Sequence, residues 1–156
     1  HKPYARAHVM ELPRHRTEFQ VQNRQRRQDP LAMSGLLSAV ESARGQNGGS
    51  AKRVAEYLDC HFLDLLGESF GIGWGNRLER QLDFYVPMVL ACGGSIGEAT
   101  DHILSTKLLR KLRGRHDNTE KALKEVQSVL EDNWIEDEHT PHKSRTMIEE
   151  AMRLVV

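Results

Sequence analysis

At 156 residues the chain suits one domain, which buries roughly two-thirds of its unfolded surface. Lysines plus arginines balance aspartates plus glutamates at 22 each, so global charge selects neither an acidic nor a basic partner. Hydrophobic content of 38% with a mean hydropathy of −0.58 is lean for a globular domain, so part of the chain is expected to be loop or a surface that a partner covers.

Neither an apolar run of membrane-spanning length nor a signal peptide is visible, which predicts a soluble, cytoplasmic protein with no membrane partner. Cys60 and Cys92 fit no metal spacing and no disulfide framework; reduced, buried thiols are expected. The chain opens on His1 rather than Met, the start expected of a fragment or a processed product.

Residues 4–12 (YARAHVMEL) alternate loosely and stop at Pro13, which predicts a short strand. One strand is not stable alone, and nothing later reads as sheet, so its partner strands are expected elsewhere. Residues 14–28 are polar, with Arg14, Arg16, Arg24, Arg26 and Arg27 against Glu18. They read as a solvated insertion or as a DNA-contacting loop. Asp29–Pro30 is a helix start, cap followed by first-turn proline, with Leu31, Leu36, Leu37 and Val40 continuing it. Residues 45–50 (GQNGGS) predict a linker, with Ser50 capping the next helix; they lack the Gly-Lys of a phosphate loop.

A helix is expected over residues 51–66, with Val54, Leu58, Phe62, Leu65 and Leu66 on one face and Gly67 as its C-cap. Phe70, Ile72 and Trp74 alternate with glycines in a tight connector to a helix over residues 76–92. That helix has Asn76 as cap, Leu78, Leu82, Tyr85, Val86 and Val89 inward, and a kinking Pro87. Gly93–Gly94 ends it, and Ser95-x-x-Glu98 is a capping box opening a helix that runs to Gly114 with Ile96, Ala99, Ile103, Leu108 and Leu112 buried. Asp117 or Asn118 caps a helix carrying Leu123, Val126 and Leu130. After the acidic residues 136–138, Thr140–Pro141 opens a last helix with Met147, Ile148, Ala151 and Met152. The fold class is mainly α, a bundle of about five helices over residues 51–156, preceded by the strand end (1–13) and the arginine-rich insertion (14–50).

Arg77 stands in the first turn of a helix whose later turns are apolar, a place where a fixed guanidinium can meet a phosphate or simply face water. Arg80, one turn on, has the same two readings. Lys107, Arg110, Lys111, Arg113 and Arg115 form a basic helix end, which the helix dipole explains and which nucleic-acid binding also fits. The histidines make no metal-ligand spacing, and His139 and His142 are expected to be exposed.

Three stretches carry a family resemblance. Residues 4–12 resemble the segment closing the ATPase core of McrB-like AAA+ NTPases, residues 70–86 look like the arginine-bearing helix of their C-terminal lid, and residues 98–114 (EATDHILSTKLLRKLRG) are similar to the next helix of that lid. The resemblance implies a lid closing over ATP or GTP with Mg2+ bound in a missing N-terminal core. It further implies a homo-oligomeric ring, commonly hexameric, and a link to DNA restriction and defence against foreign DNA. It places Arg77 as the sensor-2 arginine on the γ-phosphate, with Arg80 beside it, and Arg6 as an arginine finger toward a neighbouring subunit's nucleotide. Ala5 departs from the acidic residue that the family carries before that arginine, which leaves the orientation of Arg6 open. With no Walker A or Walker B motif, the chain is expected neither to bind Mg-nucleotide productively as its cofactor nor to hydrolyse it alone. The other reading is a stand-alone helical module that binds nucleic acid or protein.

Overall fold

The structure, a computed structural model, describes residues 33–113 and 119–155. The strand expected over 4–12 with Arg6, the arginines of 14–28, the Asp29–Pro30 helix start, Arg115, Asp117 and Asn118 lie outside the described residues. Within them the protein is helical and has no strand, as the mainly α reading requires.

The first helix, α1 (Met33–Leu58), is two helical stretches joined across a kink inside the expected linker, where the backbone leaves helical geometry at Asn47 alone (φ −123°, ψ 18°). Glycine in a helix interior costs about 1 kcal/mol relative to alanine. Packing of α1 along α3 (Asn76–Ala91), with Ala43 buried before the kink and Ala51 and Val54 after it, outweighs that cost. Nearer its start, Met33, Leu36 and Leu37 stay exposed.

A π-helical turn, Asp59–Leu63, joins α1 to α2 (Asp64–Phe70). Gly67, expected as the cap, lies inside α2; the stop is at Gly71, whose φ of +61° suits a residue without Cβ. From there the N–H of Gly71 reaches the Gly67 carbonyl and that of Ile72 the Leu66 carbonyl, each at 2.9 Å.

Extended Gly75 precedes α3, so Asn76 is its first residue rather than its cap, and the helix continues past the buried Pro87. It closes as a Schellman turn: Gly93, at φ +85°, donates to Leu90 (3.0 Å) and Gly94 to Val89 (2.9 Å). The capping box then forms as the sequence predicts, Glu98 N–H donating to Ser95 Oγ and Ser95 N–H to Glu98 Oε2, both at 3.1 Å, and opens α4 (Ile96–Ile103).

The single helix expected from here to Gly114 changes gauge twice, into a π-helical turn at Leu104–Leu108 and a 3-10 turn at Leu109–Leu112. Ser105 and Thr106 explain the first change: both hydroxyls donate to the His102 carbonyl (3.1 and 2.6 Å) and compete with the backbone ladder for it. The distorted Leu108 (φ −105°, ψ −65°) lets consecutive Leu108 and Leu109 both be buried, with Leu112 one turn on.

Thr119 caps α5 (Glu120–Asp132), its Oγ1 accepting from the Ala122 N–H. The last helix, α6 (His142–Arg153), has no local side-chain cap, contrary to the expectation at Thr140, because Pro141 occupies the cap position. Its first donors go to Asp101 of α4, whose carboxylate accepts from the Lys143 N–H (3.1 Å), the Ser144 N–H (2.8 Å) and the Ser144 hydroxyl (2.6 Å). Glu136 does the same for α4, accepting from the Gly97 N–H at 2.7 Å. Gly97 must be glycine there, since a Cβ would come within 2.6 Å of His139 Cβ and 2.7 Å of Glu136 Oε2.

The core joins Val54, Leu58, Phe62 and Leu66 of the first limb to Leu82 and Val86 of α3, Ile103, Leu104, Leu108 and Leu112, the α5 stripe Leu123, Val126 and Leu130, and Ile148 of α6. Truncating any one of these leucines to alanine costs about 2–5 kcal/mol. This packing brings α3 and the Leu104–Leu112 segment to a common concavity, which cations from both line.

Candidate functional site

The outward face of α3 presents Arg77, Arg80, Gln81, Phe84, Tyr85 and Met88, the helical neighbours three and four apart, while Leu78, Leu82 and Val86 point into the core. Together with Asn76 and Lys107 they line a concavity of about 760 Å³. A second, of about 930 Å³, continues from it over the residue 71–75 connector, where Trp74, Arg110, Lys111 and Arg113 line the wall. The two meet at Arg77, Gln81 and Lys107.

Six cations therefore line one groove, and among the described residues no aspartate or glutamate lines either half of it. Burial, and then the charge of Arg77, hold the Lys107 ammonium below the ordinary lysine range. Two like charges kept together this way raise each other's energy, and an anion between them removes the penalty. Arg77 and Arg80 themselves are exposed and form no salt bridge among the described residues. Lys111 Nζ donates to the Gly73 carbonyl (3.3 Å) and ties the connector to the 3-10 turn. Across the connector, Trp74 Nε1 donates to Asp59 Oδ1 at 3.0 Å.

At the apolar end of the first concavity, Phe84 is half exposed with the Arg44 guanidinium 4.4 Å above its ring. Tyr85 stacks on His102 (5.2 Å between centroids), and burial, followed by the charge of Glu98, pushes its hydroxyl above the ordinary tyrosine range.

Of the residues expected from sequence, Arg77 and Arg80 thus share one wall, and Arg6 lies outside the described residues. Lys107 was expected as part of a basic helix end satisfied by the dipole; it sits instead in the π-helical turn, facing Arg77. Nothing in the local sequence announces that pairing, which depends on how the α4 limb crosses α3.

Other expectations are corrected. Cys60 and Cys92 are exposed rather than buried. His142 is exposed as expected, but His139 is partly buried, its Nε2 3.8 Å from Asp101 Oδ2, beyond hydrogen-bond reach. Among the described residues no cluster of histidine, cysteine and carboxylate could hold a metal, and no helix is long and apolar enough to cross a membrane.

A family model described as "Domain of unknown function (DUF8727)" matches residues 37–155, most of the chain, and the chain belongs to that family. No curated protein and no solved structure matches it.

Proposed function

We propose that this DUF8727 domain works as the helical lid of a McrB-like AAA+ nucleoside triphosphatase, in which Arg77, Arg80 and Lys107 meet a phosphate of ATP or GTP. In this reading the Mg2+, the phosphate loop and the Walker-B carboxylate belong to a core outside the described residues. Lid closure over the nucleotide then passes hydrolysis on to the neighbouring subunits of a ring, in the setting of DNA restriction.

The observation that carries the reading is the convergence of Arg77 and Lys107 in one concavity, with the ammonium held below its ordinary range by burial and by that arginine. A phosphate accepts from both, and such charge-assisted hydrogen bonds are about twice as strong as neutral ones. The volume of about 760 Å³ suits a nucleotide-sized ligand, and Phe84 and Met88 offer the apolar wall that a base requires.

Isothermal calorimetry of the chain with ATP and with GTP tests the reading. Expected is weak binding that Arg77→Gln lowers about tenfold, or ~1.4 kcal/mol, at an unchanged melting temperature. No hydrolysis should accompany it. Equal affinity in the variant removes Arg77 from the site, and turnover by a clean preparation removes the lid assignment.

A further inference from the structure

We propose that α1 pairs antiparallel with the α1 of a second copy of this chain, about a two-fold axis lying between Glu41 and Arg44. This goes beyond the lid reading and does not rest on it. Such a contact closes at two copies, unlike the head-to-tail contact of a ring.

The apolar stripe is the first support. Met33, Leu36 and Leu37 are exposed, and half-buried Val40 continues them on one helical face. Residues 33–46 are rich in serine and glycine, and only Ala43 among them is buried. A helix of that length and composition draws its stability from a covered face rather than from propensity.

Charge indicates what covers it. Charged residues make up 28% of the chain, yet residues 33–50 hold two, Glu41 and Arg44, both exposed and opposite in sign. With the axis between them, Glu41 of each copy faces Arg44 of the other. A parallel pair would set like charge against like. Arg44 can keep its place over Phe84, because stacking uses the face of the guanidinium and an ion pair its edge.

The glycines are the third support. When Glu41 meets Arg44, Leu36 and Leu37 of one copy fall opposite Gly49 and Gly48 of the other. Gly45, Gly48 and Gly49 have no left-handed φ, and a Cβ built on any of them would meet nothing within 4 Å. One copy alone therefore gains nothing from glycine there, and each weakens the helix relative to alanine. The partner's leucines do use that open space.

Analytical ultracentrifugation of the full chain tests the pairing. A helix about 10 Å across, overlapping over about 30 Å, presents less than the roughly 800 Å² per partner of a standard interface. The dimer should accordingly dissociate in the micromolar range. Leu37→Lys should abolish it and leave the melting temperature of the dilute chain unchanged, with ATP binding by calorimetry also unchanged. Gly48→Gln, which fills the space without hindering the helix, should weaken the dimer about tenfold. Glu41→Arg and Arg44→Glu should each weaken it about tenfold as well. Mixed together, those two variants should form a heterodimer of wild-type affinity, since every charge pair across the axis is then opposite; misfolded variants would not regain it. A monomer at every concentration overturns the proposal and leaves the stripe to a different occupant. Full dimerisation of Leu37→Lys, or no heterodimer from the mixed variants, overturns it too. None of these outcomes touches the lid reading, which stands or falls on nucleotide binding.

Discussion

The two faces of the α4 limb treat charge in opposite ways. On the α6 side Asp101 and Glu136 are spent on helix N-termini: each accepts backbone N–H bonds from an element distant in sequence and so serves as a cap that the local chain does not provide. On the α3 side Arg77, Arg80, Lys107, Arg110, Lys111 and Arg113 gather around a groove with no carboxylate in its lining among the described residues. The carboxylates that hold the fold are matched and partly buried, whereas Arg77 and Arg80 are exposed and form no salt bridge among the described residues. Substitutions on the two faces should therefore behave differently, the first set lowering stability and the second lowering binding.

The largest effect is expected at Asp101. Asp101→Ala strands two N–H groups at the start of α6 and leaves the buried Ser144 hydroxyl only the residue 101 carbonyl (3.3 Å), a loss of about 3 kcal/mol from cap and buried hydrogen bonds together. Thermal denaturation should show a fall in Tm of roughly 6–12 °C for a domain of this size. A fall of less than about 2 °C would mean that water replaces the carboxylate and that the cap is dispensable.

Gly97→Ala comes next, and here two effects oppose. Alanine improves helix propensity by about 1 kcal/mol, whereas the new methyl displaces the Glu136–His139 loop at an overpacking cost of about 1–3 kcal/mol. Backbone and imidazole ring cannot both move aside cheaply, so a net loss of about 1 kcal/mol should appear in urea denaturation. A stabilised variant would show that the loop yields.

The smallest of the stability effects is a pH slope. The Ser95 hydroxyl, the Gly97 N–H and the charges of His139 and Arg53 lower the pKa of Glu136 against the opposing effect of burial. A carboxylate depressed in the folded state contributes stability that is present above its unfolded value, about 4.3, and is lost as pH falls through the folded one. Tm should thus decline between about pH 5 and pH 3, and Glu136→Gln should flatten that decline. An unchanged slope in the variant would show that other carboxylates carry it.

The sequence discloses features that are local. The stripe Leu123, Val126 and Leu130 and the Ser95–Glu98 box can be read directly, because periodicity and capping act within one or two turns. Arg77 and Arg80 stand out for the same reason, at the start of an amphipathic helix. Features that stay hidden depend on partners far along the chain. The cap of α6 comes from 42 residues away, so Thr140 looks like the cap until Asp101 is seen beside Lys143. Residues 45–50 read as a linker because glycine propensity is local, whereas the packing of α1 on α3 that keeps the chain helical on both sides of the Asn47 kink is not. The approach of Lys107 to Arg77 escapes notice for a related reason: the lysine's environment is set by the hydroxyl-driven change of helical gauge at Ser105 and Thr106 and by the crossing with α3.

The proposed anion site is tested most directly at Lys107. Its titration can be followed by carbon-13 NMR at Cε, first in the free chain and then with added ATP. In the free chain the value should lie below the ordinary lysine range. It should rise when ATP binds, because a nearby anion favours the charged ammonium, and rise also in Arg77→Gln, because a like charge is removed. A Lys107 signal that titrates normally in the free chain and ignores both ATP and Arg77 would contradict an anion site there.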